Sequence, residues 1–195
     1  MHVFFEIIYY VLLNINYMKK INLVFLFSSK NSSLIGVVLM KKNDNDEHFM
    51  EIALSLAELA VTNGNEPFGA VLVKDNEVVF TNENQINSLS DPTFHAEHGL
   101  IRQFCHVNNI MDLSDYTLYS SCEPCFMCSG SMVWSRLGRL VFSASAKDLD
   151  QILGEQSETE PSKIVFSHSV WSPQVTDNIL RETGVKLLKK YFATF

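Results

Sequence analysis

Two cysteines in the middle of the chain have a spacing that suits metal binding. Cys125 and Cys128 are three residues apart, so on a helix both thiols lie on the same side. Pro124 fits the first helical position, where a missing N–H costs nothing. A thiol near a helix N-terminus has a lowered pKa, because the partial positive charge there favours the thiolate that metals bind. The segment Pro124–Cys128 therefore predicts a metal site at the start of a helix.

A second segment, Thr93–Glu97, offers an imidazole and a carboxylate to the same site. His95 and the two cysteines make a three-ligand zinc site with an open fourth position, which is the pattern of catalytic zinc. Water in that position has its pKa lowered towards ~7. Glu97 suits proton transfer, because a carboxyl group near the metal but not bound to it can take a proton from this water and deliver it to a substrate. His95 and Glu97 can act together only if His95 lies at the helix start, where the backbone is not yet regular.

The composition indicates one acidic globular domain. The chain has 195 residues, a net charge of −7 and a pI near 5.3, which weakens any case for broad binding to nucleic acid. Three of the four cysteines crowd into seven residues, so they indicate metal or redox chemistry rather than a disulfide framework. We therefore interpret the protein as cytoplasmic.

The first 39 residues differ from the rest in being apolar, with only four charged side chains. Their apolar runs are too short to span a bilayer, and the features of a secretory signal peptide are not visible. One interpretation is a membrane-associating extension; the other is that the functional protein begins at Met40, after a leader or an unstructured appendage. We favour the second, expect no stable membrane partner, and divide the chain into an extension (residues 1–39) and a domain (residues 40–195).

Hydrophobic periodicity after Met40 predicts alternating helices and strands. This alternation is typical of an α/β sandwich with a mixed sheet. The tail is expected to hold a solvated loop at Glu155–Ser162 and a last helix near Val175, whose continuity Gly184 weakens. The elements predicted before the tail are a helix capped by Asp44–Asp46, strands Ala70–Val73 and Val78–Thr81, a helix from Asp91 to about His106, a strand Thr117–Ser120, a helix from Pro124 to about Arg136, and a strand Arg139–Ser143.

Together these motifs resemble the cytidine deaminase-like superfamily of zinc-dependent nucleobase deaminases, whose signature is H-x-E followed by P-C-x-x-C. The resemblance covers roughly residues 46–145 well and the tail more loosely. It implies a three-layer α/β/α sandwich with a five-stranded mixed sheet, bound Zn²⁺, and a homodimer. It extends through Glu66–Val73, Asn84, Asp91–Thr93 and Trp134–Arg139.

The resemblance also implies roles for single residues. His95, Cys125 and Cys128 would hold the zinc and Glu97 would be catalytic. It maps no zinc ligand onto Cys122, which we interpret as a buried thiol beside the site. The substrate contacts that it implies are a hydrogen bond from Asn84 to the base, main-chain groups near Ala96 and the Pro–Cys turn, and a pocket wall formed by Phe68; Asn84 as an ordinary turn residue stays an alternative.

The base that is deaminated is less constrained than the reaction. The middle of the chain, with Pro67–Gly69, Ser121–Cys125 and Trp134, resembles guanine deaminases, whereas the tail segments Val175–Leu180 and Leu187–Phe192 resemble bacterial tRNA-adenosine deaminases. From Met40 onward, 12 Lys and Arg stand against 21 Asp and Glu, which favours a small substrate over tRNA.

We therefore expect a free purine base or nucleoside of the guanine type as the substrate and partner. The alternatives are tRNA adenosine, then a cytosine or cytidine-type base. A non-catalytic nucleotide-binding or RNA-binding module is an alternative of another class. The intact Glu97 argues against it.

Overall fold

The computed structural model describes residues 42–155 and 159–192. The interpretations of residues 1–39 and of a start at Met40 lie outside this range. The elements in chain order are α1 (Lys42–Thr62), β1 (Gly69–Lys74), β2 (Glu77–Glu83), α2 (Ala96–Asn108), β3 (Thr117–Cys122), α3 (Phe126–Trp134), β4 (Arg139–Ala144), α4 (Ala146–Leu153), α5 (Pro161–Ser167), β5 (Gln174–Thr176) and α6 (Arg181–Phe192).

The strands form a five-stranded mixed sheet in the order β2-β1-β3-β4-β5. β1 pairs antiparallel with β2 and β3, whereas β3–β4 and β4–β5 are parallel. Helices α1 and α6 cover one face, and α2, α3 and α5 cover the other. The predicted three-layer α/β/α sandwich is therefore confirmed.

Alternating side chains of the central strands supply both cores. Because both faces of the sheet are covered, β1, β3 and β4 are buried almost throughout. The residues facing α1 are Val71, Val73, Tyr119 and Val141, and those facing α2 and α3 are Ala70, Leu72, Leu118, Leu140 and Phe142.

One glycine sets how closely α1 approaches the sheet. A Cβ atom on Gly69 would lie 2.3 Å from the carbonyl oxygen of Ala53. Only glycine therefore lets α1 rest directly on the backbone of β1, the strand that leads from the Pro67–Gly69 segment into the sheet.

The predicted cap of the first helix is wrong. α1 already begins at Lys42, and Asp46 lies within it. The Asp46 carboxylate accepts hydrogen bonds from the Tyr119 hydroxyl at 2.7 Å and from the Arg139 guanidinium at 2.8 and 2.7 Å. Asp46 therefore links α1 to β3 and β4 and does not cap the N-terminus of the helix.

The helix predicted from Asp91 begins five residues later, at Ala96. The Asp91 carboxylate accepts from the backbone N–H of Thr93 at 2.9 Å and from its hydroxyl at 2.6 Å. This local turn uses the side chain that the sequence suggested as a helix start.

The tail differs from the prediction at several points. Val175 lies in β5 rather than in a helix, because Leu140 of β4 pairs with it. The last helix starts at Arg181 and runs through Gly184 without interruption. A Cβ atom on Gly184 would lie 2.5 Å from the Ser143 hydroxyl oxygen, so this glycine lets α6 pack closely on β4.

Two short helices in the tail were not predicted. α4 is capped by Ser145, whose hydroxyl accepts from the Asp148 N–H while the Asp148 carboxylate accepts from the Ser145 N–H. α5 begins at Pro161, inside the segment expected to be a solvated loop. Within the residues that the structure describes, no helix is both long enough and apolar enough to cross a membrane.

Candidate active site

The three predicted metal ligands lie together. The donor atoms of His95, Cys125 and Cys128 are all within 4.8 Å of one another, and Cys125 Sγ lies 3.6 Å from His95 Nδ1. Zinc–sulfur bonds of ~2.3 Å and zinc–nitrogen bonds of ~2.0 Å in a tetrahedral site place neighbouring ligand atoms roughly 3.5–3.8 Å apart. The donor types and their spacing therefore fit a zinc ion.

Two helix starts position these side chains. His95 is the residue just before α2 and has an extended backbone, with φ −66° and ψ 156°. The sequence required this placement for His95 and Glu97 to act at one site. Cys125 is the residue just before α3, with φ −66° and ψ 175°. The prediction of Pro124 at the first helical position is wrong, because the extended backbone at Cys125 delays the helix to Phe126.

The positive ends of α2 and α3 both lie at this site, which favours bound thiolates. Hydrogen bonds from Cys128 and His95 lower the pKa of Cys125 to about 4, against the opposing effect of burial. The hydrogen bond with Cys125, together with burial, raises the pKa of Cys128. The same contact with Cys125 raises the pKa of His95. The pair of thiols thus already contains one strong thiolate donor.

Glu97 lies in the first turn of α2 and is only 5% exposed. Its Oε1 atom lies 2.9 Å from the Ser120 hydroxyl, and its Oε2 atom lies 3.4 Å from Cys128 Sγ. Burial raises the pKa of this carboxyl. A carboxyl group beside a metal site, with a raised pKa and no place in the ligand group, suits proton transfer.

Cys122 lies outside the ligand group. It is buried at the end of β3, and burial raises the pKa of its thiol. Cys122 is therefore a buried thiol outside the group of His95, Cys125 and Cys128, and its burial agrees with the sequence analysis.

The residues expected to contact substrate meet at the end of β2. The Asn84 N–H donates to the Phe68 carbonyl at 2.9 Å, and the Ala96 carbonyl accepts from Asn82 Nδ2 at 2.9 Å. Asn84 is fully buried, and its Oδ1 accepts from the Ile86 N–H at 3.2 Å. Among the described residues, its Nδ2 has no hydrogen-bond partner. A buried amide donor without a partner is a feature of a ligand contact.

Residues 43–144 match the family described as the cytidine and deoxycytidylate deaminase zinc-binding region. The chain belongs to this family. It is therefore an enzyme of the zinc-binding deaminases, which hydrolyse C–N bonds.

Relatives of the deaminase differ in substrate. It is 41% identical to the guanine deaminase of Bacillus subtilis (strain 168) over 105 residues, which are 53% of this chain and 67% of that one. It is 34% identical to the tRNA-specific adenosine deaminase of Buchnera aphidicola subsp. Schizaphis graminum over 151 residues, 77% of this chain and 96% of that one. A solved structure from studies of A-to-I editing by tRNA:A34 deaminases matches with a TM-score of 0.62 and 30% identity, over 72% of this chain and 98% of that one.

Sequence reasoning missed two polar residues next to the site of this deaminase. Glu123 precedes Pro124 and is buried. Its carboxylate accepts from the Ala146 N–H at 3.0 Å and from the Ser162 hydroxyl at 2.6 Å. Ser120, the partner of Glu97, is the other. Both stand in or beside the cysteine motif, but their partners are 23 to 39 residues away, and no local pattern reveals them.

At the start of α2, the large side chain of Phe94 lies next to Gly99, which has no side chain. Phe94, beside His95, is buried. A Cβ atom on Gly99 would lie 2.8 Å from Cε1 of the Phe94 ring and 2.7 Å from Asn82 Nδ2. The ring therefore fills the space that a side chain at position 99 would need.

Proposed function

We propose that this enzyme hydrolyses the exocyclic amino group of a purine base of the guanine type, as free base or nucleoside, and releases ammonia. The observation that carries the proposal is the buried Glu97 carboxyl beside the donors of His95, Cys125 and Cys128. This arrangement can activate water and move protons without further residues.

His95, Cys125 and Cys128 would hold the zinc. Bound zinc supplies a water molecule whose pKa is lowered to about 7. Glu97 would carry the two protons of that water in turn, the first to the ring nitrogen and the second to the departing amine, so that ammonia leaves as the C–N bond breaks and a C=O bond forms. Burial helps, because a carboxyl with a raised pKa is a stronger base towards the water and holds the proton until it is passed to the substrate.

Asn84, Phe68 and the main chain at Ala96 would hold the base. The free amide hydrogens of Asn84 Nδ2 suit an acceptor on the ring, either a carbonyl oxygen or a ring nitrogen. The N–H groups in the first turn of α2 have no partners within the helix and can bind a polar group of the substrate. Phe68 is held near Asn84 through its carbonyl and offers an apolar ring.

Two observations support a guanine-type substrate. The chain is 41% identical to a guanine deaminase over 105 residues. The net charge of −7 opposes binding to a polyanion. The test is ammonia release from guanine, guanosine, adenine, cytosine and cytidine at equal concentration. Guanine or guanosine is expected to react fastest, and a higher rate with cytosine or cytidine would contradict the proposal.

A tRNA-specific adenosine deaminase is the second candidate. The observation that favours it is the match to such an enzyme over 96% of that protein's length. An anticodon stem-loop RNA with one adenosine in the loop tests it directly. Inosine formation in that RNA, with no ammonia from free bases, would replace the first proposal with the second.

A homodimer formed through α2 and α3 is also proposed. Among the described residues, Phe126 and Trp134 on α3 and Met111 after α2 are large apolar side chains, exposed by 52%, 89% and 86%. Clustered exposure of this kind marks an interaction surface. Light scattering after gel filtration should give twice the mass of the chain, and Trp134→Glu should shift it to the monomer. A monomeric wild type would contradict the proposal.

Two further predictions concern the whole chain. All four cysteines are free within the described structure, which supports a cytoplasmic, reducing location. A chain beginning at Met40 is expected to bind zinc and turn over substrate as well as the full chain, since the described site lies downstream. Loss of zinc or of activity in the shorter chain would show that residues 1–39 belong to the functional domain.

A further inference from the structure

The two oxygens of the Glu97 carboxylate have different surroundings. Oε2 lies 3.4 Å from Cys128 Sγ and so faces the metal ligands. Oε1 points the other way and lies 2.9 Å from the hydroxyl of Ser120. Because a glutamate side chain has three rotatable bonds, this contact decides which oxygen faces the zinc site.

Ser120 is a rigid anchor for such a contact. It lies in β3, paired with Ala70 of β1 on one side and Phe142 of β4 on the other, and is 1% exposed. Its hydroxyl also lies 2.7 Å from the Cys122 carbonyl at the end of the same strand. The single hydroxyl hydrogen can be donated to only one of these two acceptors at a time, so the contact with Glu97 is made either by donation to the carboxylate or by acceptance from the protonated carboxyl. The hydroxyl is therefore fixed by the centre of the sheet, whereas Glu97 stands on a helix.

We propose that Ser120 is the positioning residue of the proton carrier, and that it acts by holding Oε1 so that Oε2 faces the metal-bound reactants. The proposal rests on the catalytic role proposed for Glu97. Proton transfer requires the carboxyl to lie within hydrogen-bond reach of the transferred proton, and a group that rotates away is lost to the reaction. Ser120 itself touches neither zinc nor substrate in this assignment.

Three variants test this role. Ser120→Ala removes the hydroxyl, and kcat should fall by about 10- to 100-fold, the rate equivalent of one hydrogen bond to a charged group. KM and zinc content should stay unchanged, because substrate and metal contacts are intact. Ser120→Thr keeps the hydroxyl and should restore most of the lost rate. The control is Ser143→Ala, which removes a buried hydroxyl that donates to the Leu180 carbonyl at 3.0 Å in another part of the sheet, and kcat should not change.

A double variant separates positioning from a general effect on the fold. In the Glu97→Gln background, adding Ser120→Ala should cause no further fall in kcat, because Ser120 acts only through Glu97. The rates are ammonia release from guanine, or from whichever panel compound the wild type converts fastest.

Each failure has its own meaning. If Ser120→Ala keeps kcat within about twofold of the wild type, the positioning role is wrong. The positioning role is also wrong if Ser120→Thr and Ser120→Ala lower kcat equally, or if the effects of Ser120→Ala and Glu97→Gln on kcat add in the double variant. If Glu97→Gln keeps the wild-type rate, the proposed role of Glu97 fails first. If no panel compound or anticodon RNA is converted, the proposed function itself fails.

Discussion

The two helix starts at His95 and Cys125 are fixed in a different way from helices α4–α6. Residues of the site touch one another directly, with sulfur, nitrogen and carboxyl atoms 2.9 to 3.6 Å apart. The helices of the tail pack on the domain through apolar side chains such as Phe166 and Leu188, and distant polar links such as that from Ser162 to Glu123 add to this packing. Burial of thiolates and carboxylates at a catalytic site lowers the free energy of unfolding, because these groups lose their hydration. Changes in the site should therefore remove activity and leave stability, and changes in the tail should do the reverse.

The largest effect is expected from loss of a ligand. Cys125→Ala and Cys128→Ala should each lose both the zinc and all measurable turnover, because the described part of the chain brings three protein donors together at this site. Metal analysis of purified protein and ammonia release measure the two losses. Cys122→Ser is the control and should keep its zinc. A Cys122→Ser protein without metal, beside a Cys125→Ala protein that keeps it, would overturn the ligand assignment.

Glu97→Gln should remove chemistry alone. Turnover should fall by several orders of magnitude, because each positioned proton transfer contributes ~10²–10⁴-fold and this carboxyl serves more than one. Zinc content should stay, and the free energy of unfolding should not fall, since a neutral amide replaces a buried carboxyl. Single-turnover ammonia release at saturating substrate gives the comparison. A variant that keeps more than about a tenth of the rate would mean that another group moves the proton.

A serine pair in α5 tests the opposite behaviour. Ser162→Ala removes a buried hydroxyl bonded to the Glu123 carboxylate, and the free energy of unfolding should fall by about 1.5–3 kcal/mol. Turnover per bound zinc should be unchanged. Ser167, exposed in the same helix and bonded only to local groups, the Ile164 carbonyl and His168 Nδ1, is the matched control, and Ser167→Ala should change stability by less than about 0.5 kcal/mol. Equal stability losses in the two variants would contradict the tether.

The smallest effect is a pH dependence in the tail. Burial alone would raise the pKa of Asp148, but hydrogen bonds from Arg181 and Ser145 outweigh it and hold the pKa below 3.8. A carboxyl with a lowered folded-state pKa stabilises the fold above its unfolded-state pKa, and this contribution disappears as pH falls through the folded-state value. The stability difference between wild type and Asp148→Asn should thus be constant near neutral pH and shrink below about pH 4. Urea unfolding across this range measures it, and a difference that grows on acidification would be inconsistent with the sign.

The site was predictable because its chemistry depends on short-range spacing. His95 and Glu97 lie within three residues, Cys125 and Cys128 lie within four, and the placement of His95 before the helix followed from the geometry that Glu97 needs. The start of α2 was placed too early, since the Asp91–Thr93 turn has the same residue types as a helix cap. Whether the Asp91–Thr93 segment forms a turn or a helix cap depends on the backbone conformation that follows it, which the residue types do not determine.

The tail was less predictable for two reasons. Val175 forms a strand because β4 lies beside it. The residues next to Val175 in the sequence have no strong preference for either strand or helix. Asp46 accepts from Arg139, 93 residues away, so the sequence around it suggests only a cap. The start of α4 is a different case, since Ser145 and Asp148 form a capping box that was present in the sequence and was overlooked.

Phe94 and Gly99 carry a consequence for engineering the enzyme. The aromatic ring and the missing side chain occupy one shared space at the base of α2, so the tolerated size at each position depends on the other. Random libraries that vary one position at a time would discard every larger residue at 99 and so would never sample the alternative packing. Paired libraries, with a small residue at 94 and a larger one at 99, sample that packing, and they must also vary Asn82, whose Nδ2 would lie 2.7 Å from the added Cβ atom. Because Asn82 donates to the Ala96 carbonyl, such repacking reaches the main chain beside His95 from within the core.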